Sequence, residues 1–178
     1  MTSFFINTRE ALWVVFRLCG NKTASVSSKK VRGIDLTYLS TLSSEDRKRF
    51  QEKLRVFVGE QEIRVFNPYE EWNSELWNDT PTSWPDLDWG DLFNYLVFTS
   101  GPFTSESLKA YKSLDAHDYF VSRKVGCIYS RSVVDKIVIL KAEVRPDQAE
   151  SSPDSHLPWI ICKNNGEIIT AHCDCKSG

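Results

Sequence analysis

The 178-residue sequence predicts an α+β fold in which N-terminal helices are followed by an antiparallel sheet that ends in a β-hairpin. Three observations predict it. Phe50, Leu54, Phe57 and Val58 recur at i, i+4, i+7 and i+8, the spacing of one buried helix stripe. After about residue 119 the rhythm changes to short Val- and Ile-rich runs punctuated by turn residues, which reads as strands. Asn164-Asn165-Gly166 separates the last two runs, and Asn and Gly accept the positive φ that a tight hairpin turn needs. Helices first and strands later indicate segregated α+β layers rather than alternating βαβ units.

Taken in order, residues 1–33 read as an N-terminal helix over about 4–18 and a linker containing the basic cluster Lys29-Lys30-Val31-Arg32. Residues 34–118 read as mostly helical. A helix starts at Ser43 or Ser44, which can cap it, with Glu45 and Asp46 complementing the positive end of its dipole and Gly59 closing it after Val58. Residues 66–88, with Pro68, Pro81 and Pro85 among Trp and Tyr, read as an irregular crossing that pins aromatics to the core. Asp88 caps a helix to about Val97, and Thr104 caps another through about Ala116. Residues 119–178 form the β region, with strands at Tyr119–Val121, Val125–Tyr129, Ile137–Val144, Trp159–Lys163 and Glu167–Cys173.

Composition narrows the function classes. Hydrophobic residues make up 41% and aromatic ones 12%, enough for a core built partly from aromatic clusters. The 22 Lys and Arg nearly balance the 24 Asp and Glu, so a general polyanion binder is excluded and any nucleic-acid contact has to come from a local patch. The apolar run Ala11–Phe16 is far too short to span a membrane, and the odd count of five Cys without a signal-peptide pattern favours intracellular thiols or metal ligands over disulfides. The expectation is an intracellular protein, nuclear or cytoplasmic.

One spacing carries metal-binding logic. Cys173-Asp174-Cys175 lies at the end of the last strand, where residues i and i+2 project to the same face, so both thiolates can reach one ion. Zinc prefers four such ligands in a tetrahedral set, and the pair supplies half. His172 alternates to the opposite face, and Cys162 lies several residue pairs away and reads, like Cys19 and Cys127, as a small buried hydrophobe. His117 reads as a helix-end residue, and His156 sits in a Pro/Ser loop.

The stretch Trp159 to Gly178, with Asn164-Asn165-Gly166 and Cys173-Asp174-Cys175, resembles the first half of a SWIM-type zinc finger, whose pattern is C-x-C, a spacer, then C-x-H. Upstream, Trp84-Pro85-Asp86, Leu108 to Ala116, Tyr119-Phe120-Val121-Ser122 and Val144-Arg145-Pro146 are similar to animal, mobile-element-derived proteins in which such a finger precedes a YqaJ-like recombination exonuclease domain. The resemblance covers roughly residues 80–178 and implies that Cys173 and Cys175 are zinc ligands. It further implies a binding module that contacts DNA or protein, with zinc as its cofactor in a site that the residues up to Gly178 leave incomplete. The alternatives are an accessory N-terminal fragment of such an exonuclease and a degenerate mobile-element fragment without activity.

No catalytic set is visible. A metal-dependent nuclease needs several carboxylates and a Lys on adjacent strands; Lys141-Ala142-Glu143 has the reverse order and reads as an exposed strand edge. Asp86, Asp88 and Asp91 are explained by helix capping, and neither a nucleophile elbow nor a phosphate-cradling loop occurs, so no small-molecule substrate is expected.

Overall fold

The computed structural model describes residues 37–71, 75–98, 125–134, 136–145 and 155–174. The expected helices at 4–18 and 104–116, the basic cluster at 29–32, the strand at 119–121 and Cys175 lie outside these residues. The described elements are mixed α+β, as the sequence predicts. Among them no helix is long and apolar enough to cross a membrane.

A short helix α1 (Thr37–Thr41) leads into α2 (Ser44–Lys53). Ser43 caps α2 as expected, its Oγ accepting from the Asp46 amide at 3.1 Å. The helix does not run on to Val58. It ends at Leu54, and β1 (Arg55–Val58) pairs with β2 (Gln61–Arg64) as an antiparallel hairpin around Gly59, whose φ of 62° supplies the left-handed turn residue. The correction has a local cause. Leu54, Val56 and Val58 alternate, and so do Ile63 and Val65, and this period-2 pattern buries Val56 completely while leaving Phe57 60% exposed. A helix would have placed Phe57 in the core and Val56 off the stripe.

Residues 66–88 cross the molecule irregularly, with one 3-10 turn at Pro81–Ser83 and Asn78 bridged to Ser130 by two backbone hydrogen bonds of 2.8 and 2.7 Å. The helix α3 (Trp89–Phe98) follows. Asp88 Oδ1 accepts from the Asp91 amide at 2.9 Å while Asp91 Oδ2 accepts from the Asp88 amide at 3.0 Å, the reciprocal capping that the acidic cluster predicts.

Four strands, β3 (Val125–Val134), β4 (Ile137–Val144), β5 (Trp159–Lys163) and β6 (Ile168–His172), form one antiparallel meander in sequence order. Both faces of this sheet are covered. One packs Val138, Leu140, Ile160, Cys162 and Ala171 against Trp84, Leu87 and Leu92 at the start of α3. The other packs Ile137, Ile139, Trp159 and Ile161 against Phe50, Leu54, Val56 and Tyr69. The result is three layers with two cores, and it explains why β4 reads as a near-continuous apolar run rather than an alternating one.

Candidate functional site

The β5–β6 hairpin positions the C-terminal thiol. Its turn is fixed by Gly166, whose φ is 95°, and by the Asp86 amide donating to the Asn164 carbonyl at 3.2 Å. Lys163 and Glu167 pair across the turn at 2.7 Å. At the other end Trp159 lies opposite His172, and Cys173 follows immediately, fully buried. The segment 155–158 crosses beside it. His156 exchanges two 2.8 Å backbone hydrogen bonds with Val144, and the Leu157 amide donates to Asp174 Oδ1 at 2.7 Å. That same oxygen lies 3.8 Å from Cys173 Sγ and 3.8 Å from His156 Nδ1. Burial raises the Asp174 carboxyl above its ordinary value, against the Leu157 hydrogen bond and the adjacent His156, which lower it.

His172 turns away from this cluster, as strand alternation dictates, into a box of Tyr38, Phe50, Tyr69 and Trp159. Lys53 Nζ donates to its Nδ1 at 3.2 Å, so the neutral ring carries its proton on Nε2, 2.9 Å from the Tyr38 hydroxyl. Burial, and secondarily Lys53, push its pKa down to about 3. His172 is therefore a structural polar residue of the α2-side core. Cys162 is the small buried hydrophobe expected, its thiol 3.5 Å from the Val138 carbonyl. Cys127 is half-buried on β3, and burial pushes its thiol up.

Lys141 is not at an exposed strand edge. It is 2% exposed on β4, an inner strand, opposite Tyr129 on β3 and Trp159 on β5. Its Nζ sits 4.0 Å from the Trp77 ring centroid and 5.5 Å from that of Tyr129. Arg131, two residues along β3 from Tyr129, is held by Glu71 and stacks 4.0 Å over Phe66. The aromatic faces offset part of the desolvation of both cations. Burial, then the neighbouring Arg131, still pull Lys141 down to about 7. The signal missed in the sequence is that Ile137–Leu140 has no polar alternation: a strand buried on both faces leaves its next residue buried too.

That lysine makes stability depend on pH. The unfolded state binds its proton up to about pH 10.4 and the folded state only up to about 7. Between those values the unfolded chain holds more protons, so stability rises with pH. From pH 7 to 9 the gain is about 2 kcal/mol; above about 9 the raised thiol of Cys127, which favours the unfolded state once deprotonated there, opposes it. Lys141→Met, which keeps the stem and removes the ammonium, is expected to abolish the rise and to stabilise the protein by about 1–2 kcal/mol at pH 7. Urea midpoints at pH 7, 8 and 9 for both proteins check this; a parallel rise in the variant would assign the slope to another group.

Zinc, the cofactor the resemblance implies, is chemically suited to the Cys173 thiol and to the imidazole beside it. Among the described residues, however, no group of three or more His, Cys, Asp or Glu side chains is arranged to hold a metal ion. The fold thus brings Cys173 together with Asp174 and His156, neither of which the spacing argument selected. The only sequence hint was proximity: Asp174 is the middle residue of C-x-C, and His156 precedes the strand that pairs with β6. Comparison with protein-family models, with curated proteins and with solved structures found no match to this chain.

Proposed function

We propose that the chain is a non-catalytic binding module whose C-terminal hairpin, with Cys173 and Cys175 as zinc ligands, forms part of a SWIM-type zinc finger that contacts DNA or protein. The observation that supports this reading is the placement of Cys173 directly after β6, on a hairpin held both at its turn and at its open end. Such a hairpin offers the two thiols from a rigid scaffold, which a recognition element needs if it is not to lose affinity to ordering. The buried Lys141 argues against the nuclease alternative, because its amine is packed on Trp77 rather than set beside carboxylates that could bridge metal ions.

Two measurements test the proposal. Fluorescence anisotropy of a labelled duplex, titrated with zinc-loaded protein over a range of salt concentrations, is expected to show a shallow salt dependence if DNA is the partner. With a net charge of -2 the chain can engage only a few phosphates through a local patch. That binding should weaken in Cys173→Ser; equal binding by the variant would place the DNA contact elsewhere, and no binding by either leaves protein as the partner. Incubation with linear duplex and magnesium or manganese is expected to give no cleavage. Cleavage that disappears in Glu143→Ala would overturn the non-catalytic reading.

A further inference from the structure

We infer that His156 is a third zinc ligand supplied by this chain itself, completing a Cys2His donor set with Cys173 and Cys175. The inference rests on the proposal that the two cysteines bind zinc, and it adds a residue that neither their spacing nor the finger pattern selects.

The argument is one of convergence. Segment 155–158 has no pairing reason to approach the end of β6, which is hydrogen-bonded to β5 rather than to it. It is drawn there by three polar links: the double bridge of His156 to Val144, the Ala142 amide on the Pro158 carbonyl at 3.2 Å, and the Leu157 amide on Asp174 Oδ1. These fix the backbone of His156 beside residue 174. The imidazole then has its Nδ1 3.8 Å from Asp174 Oδ1, on the oxygen that also stands 3.8 Å from the Cys173 sulfur. Donor atoms of one tetrahedral zinc lie about 3.3–3.8 Å apart, given Zn–S of about 2.3 Å and Zn–N of about 2.0 Å. Thiol, carboxylate and imidazole are therefore spaced around a common point at nearly the distances that an ion would impose.

Each group has a distinct part. Asp174 Oδ1 already accepts the Leu157 amide and acts as a positioning residue, holding the loop against the strand end and adding negative charge beside the ion. Cys173 brings a thiol with no exposed surface, which avoids competition from water. The His156 side chain is 19% exposed and that of Asp174 17%, so an ion can enter from this side. Cys175 lies one peptide link beyond Asp174, within the reach that consecutive Cα atoms about 3.8 Å apart allow. Three protein donors leave a fourth position for water or for a donor from a partner, which suits a module whose zinc is shared with what it binds.

Cobalt(II) titration of metal-free protein, followed by zinc competition, tests this. The sulfur-to-cobalt charge-transfer band reports thiolate ligation, and the intensity of the visible bands reports tetrahedral geometry. The full chain is expected to bind one ion with both signatures. His156→Gln should weaken zinc by on the order of 100-fold while keeping the thiolate band at saturating metal, and His156→Cys should restore affinity and strengthen that band. Restoration by a thiolate is not expected of a residue that only holds the loop. If Cys173→Ser abolishes binding while His156→Gln leaves it unchanged, the cysteine pair stands and the role of His156 is overturned. If Cys173→Ser itself has no effect, the zinc reading of the cysteine pair fails, and this inference with it. Thermal melts of the metal-free variants, expected within a few degrees of the parent, separate ligand loss from unfolding.

Discussion

Gly166→Ala is expected to destabilise the protein by about 2–4 kcal/mol, because two independent penalties meet at one atom. The backbone there has φ of 95°, a conformation that L side chains rarely adopt. An added Cβ would also stand 2.4 Å from the Asp86 carbonyl oxygen and under that from Asp91 Oδ2. The aspartate side chain can rotate away, but the carbonyl belongs to backbone whose neighbouring amide is tied to Asn164, so relief requires the turn to leave the start of α3. The test is the urea midpoint of Gly166→Ala in the parent and in an Asp91→Ala background. Most of the loss should persist in the second, since the backbone contact and the positive φ remain. A loss below about 0.5 kcal/mol in the parent would show that the turn does not rest on α3 in solution.

Trp159→Ala is expected to cost about 3–5 kcal/mol, the range for emptying a large aromatic site in a packed core. Trp159 is 1% exposed and contacts Phe50 edge-on with centroids 6.1 Å apart and His172 at 5.6 Å, so it is the common neighbour of the sheet and the α2 layer. Its indole N–H has no hydrogen-bond partner. Trp159→Phe therefore loses ring volume but also removes a desolvated donor, and should cost no more than about half as much as the alanine. Equal losses for the two variants would mean that the indole N–H makes a favourable contact after all. The denaturation slope should stay unchanged in both, marking a loss of stability rather than of cooperativity.

How far the sequence carried the fold can be seen element by element. The limits of β4 and β5 were legible to the residue because their boundaries are written in strong local chemistry, Asn164-Asn165-Gly166 above all. The start of α2 and the capping of α3 were legible for the same reason, each resting on one side chain and an amide three residues on. What failed was decided at longer range. Leu54–Val58 satisfies both a helical and a strand period, and only pairing with residues 61–64 settles it. Lys141 looks like a surface residue until register sets it between Tyr129 and Trp159. The candidate site divided in the same way: Cys173 was readable from i, i+2 spacing, whereas His156 reaches it only because the segment before β5 folds back over the strand end.

The sequential order of the meander has a consequence for how the molecule comes apart. β3 and β4 are joined by two residues and β5 and β6 by a tight turn, so these pairings close small loops at little entropic cost. The α2 layer is different: the hydrogen bond from Tyr38 to His172 spans 134 residues of chain. Seams closed by such long loops are those along which folded proteins open first, without unzipping the elements on either side. Here the seam runs through Phe50, Tyr69 and Trp159, so a transient opening presents a row of aromatic rings to solvent while the β5–β6 hairpin stays paired. The part of the molecule most exposed to proteolysis and self-association is thus the face opposite Ala171 and Cys162, and the end that carries Cys173 can keep its shape through such openings.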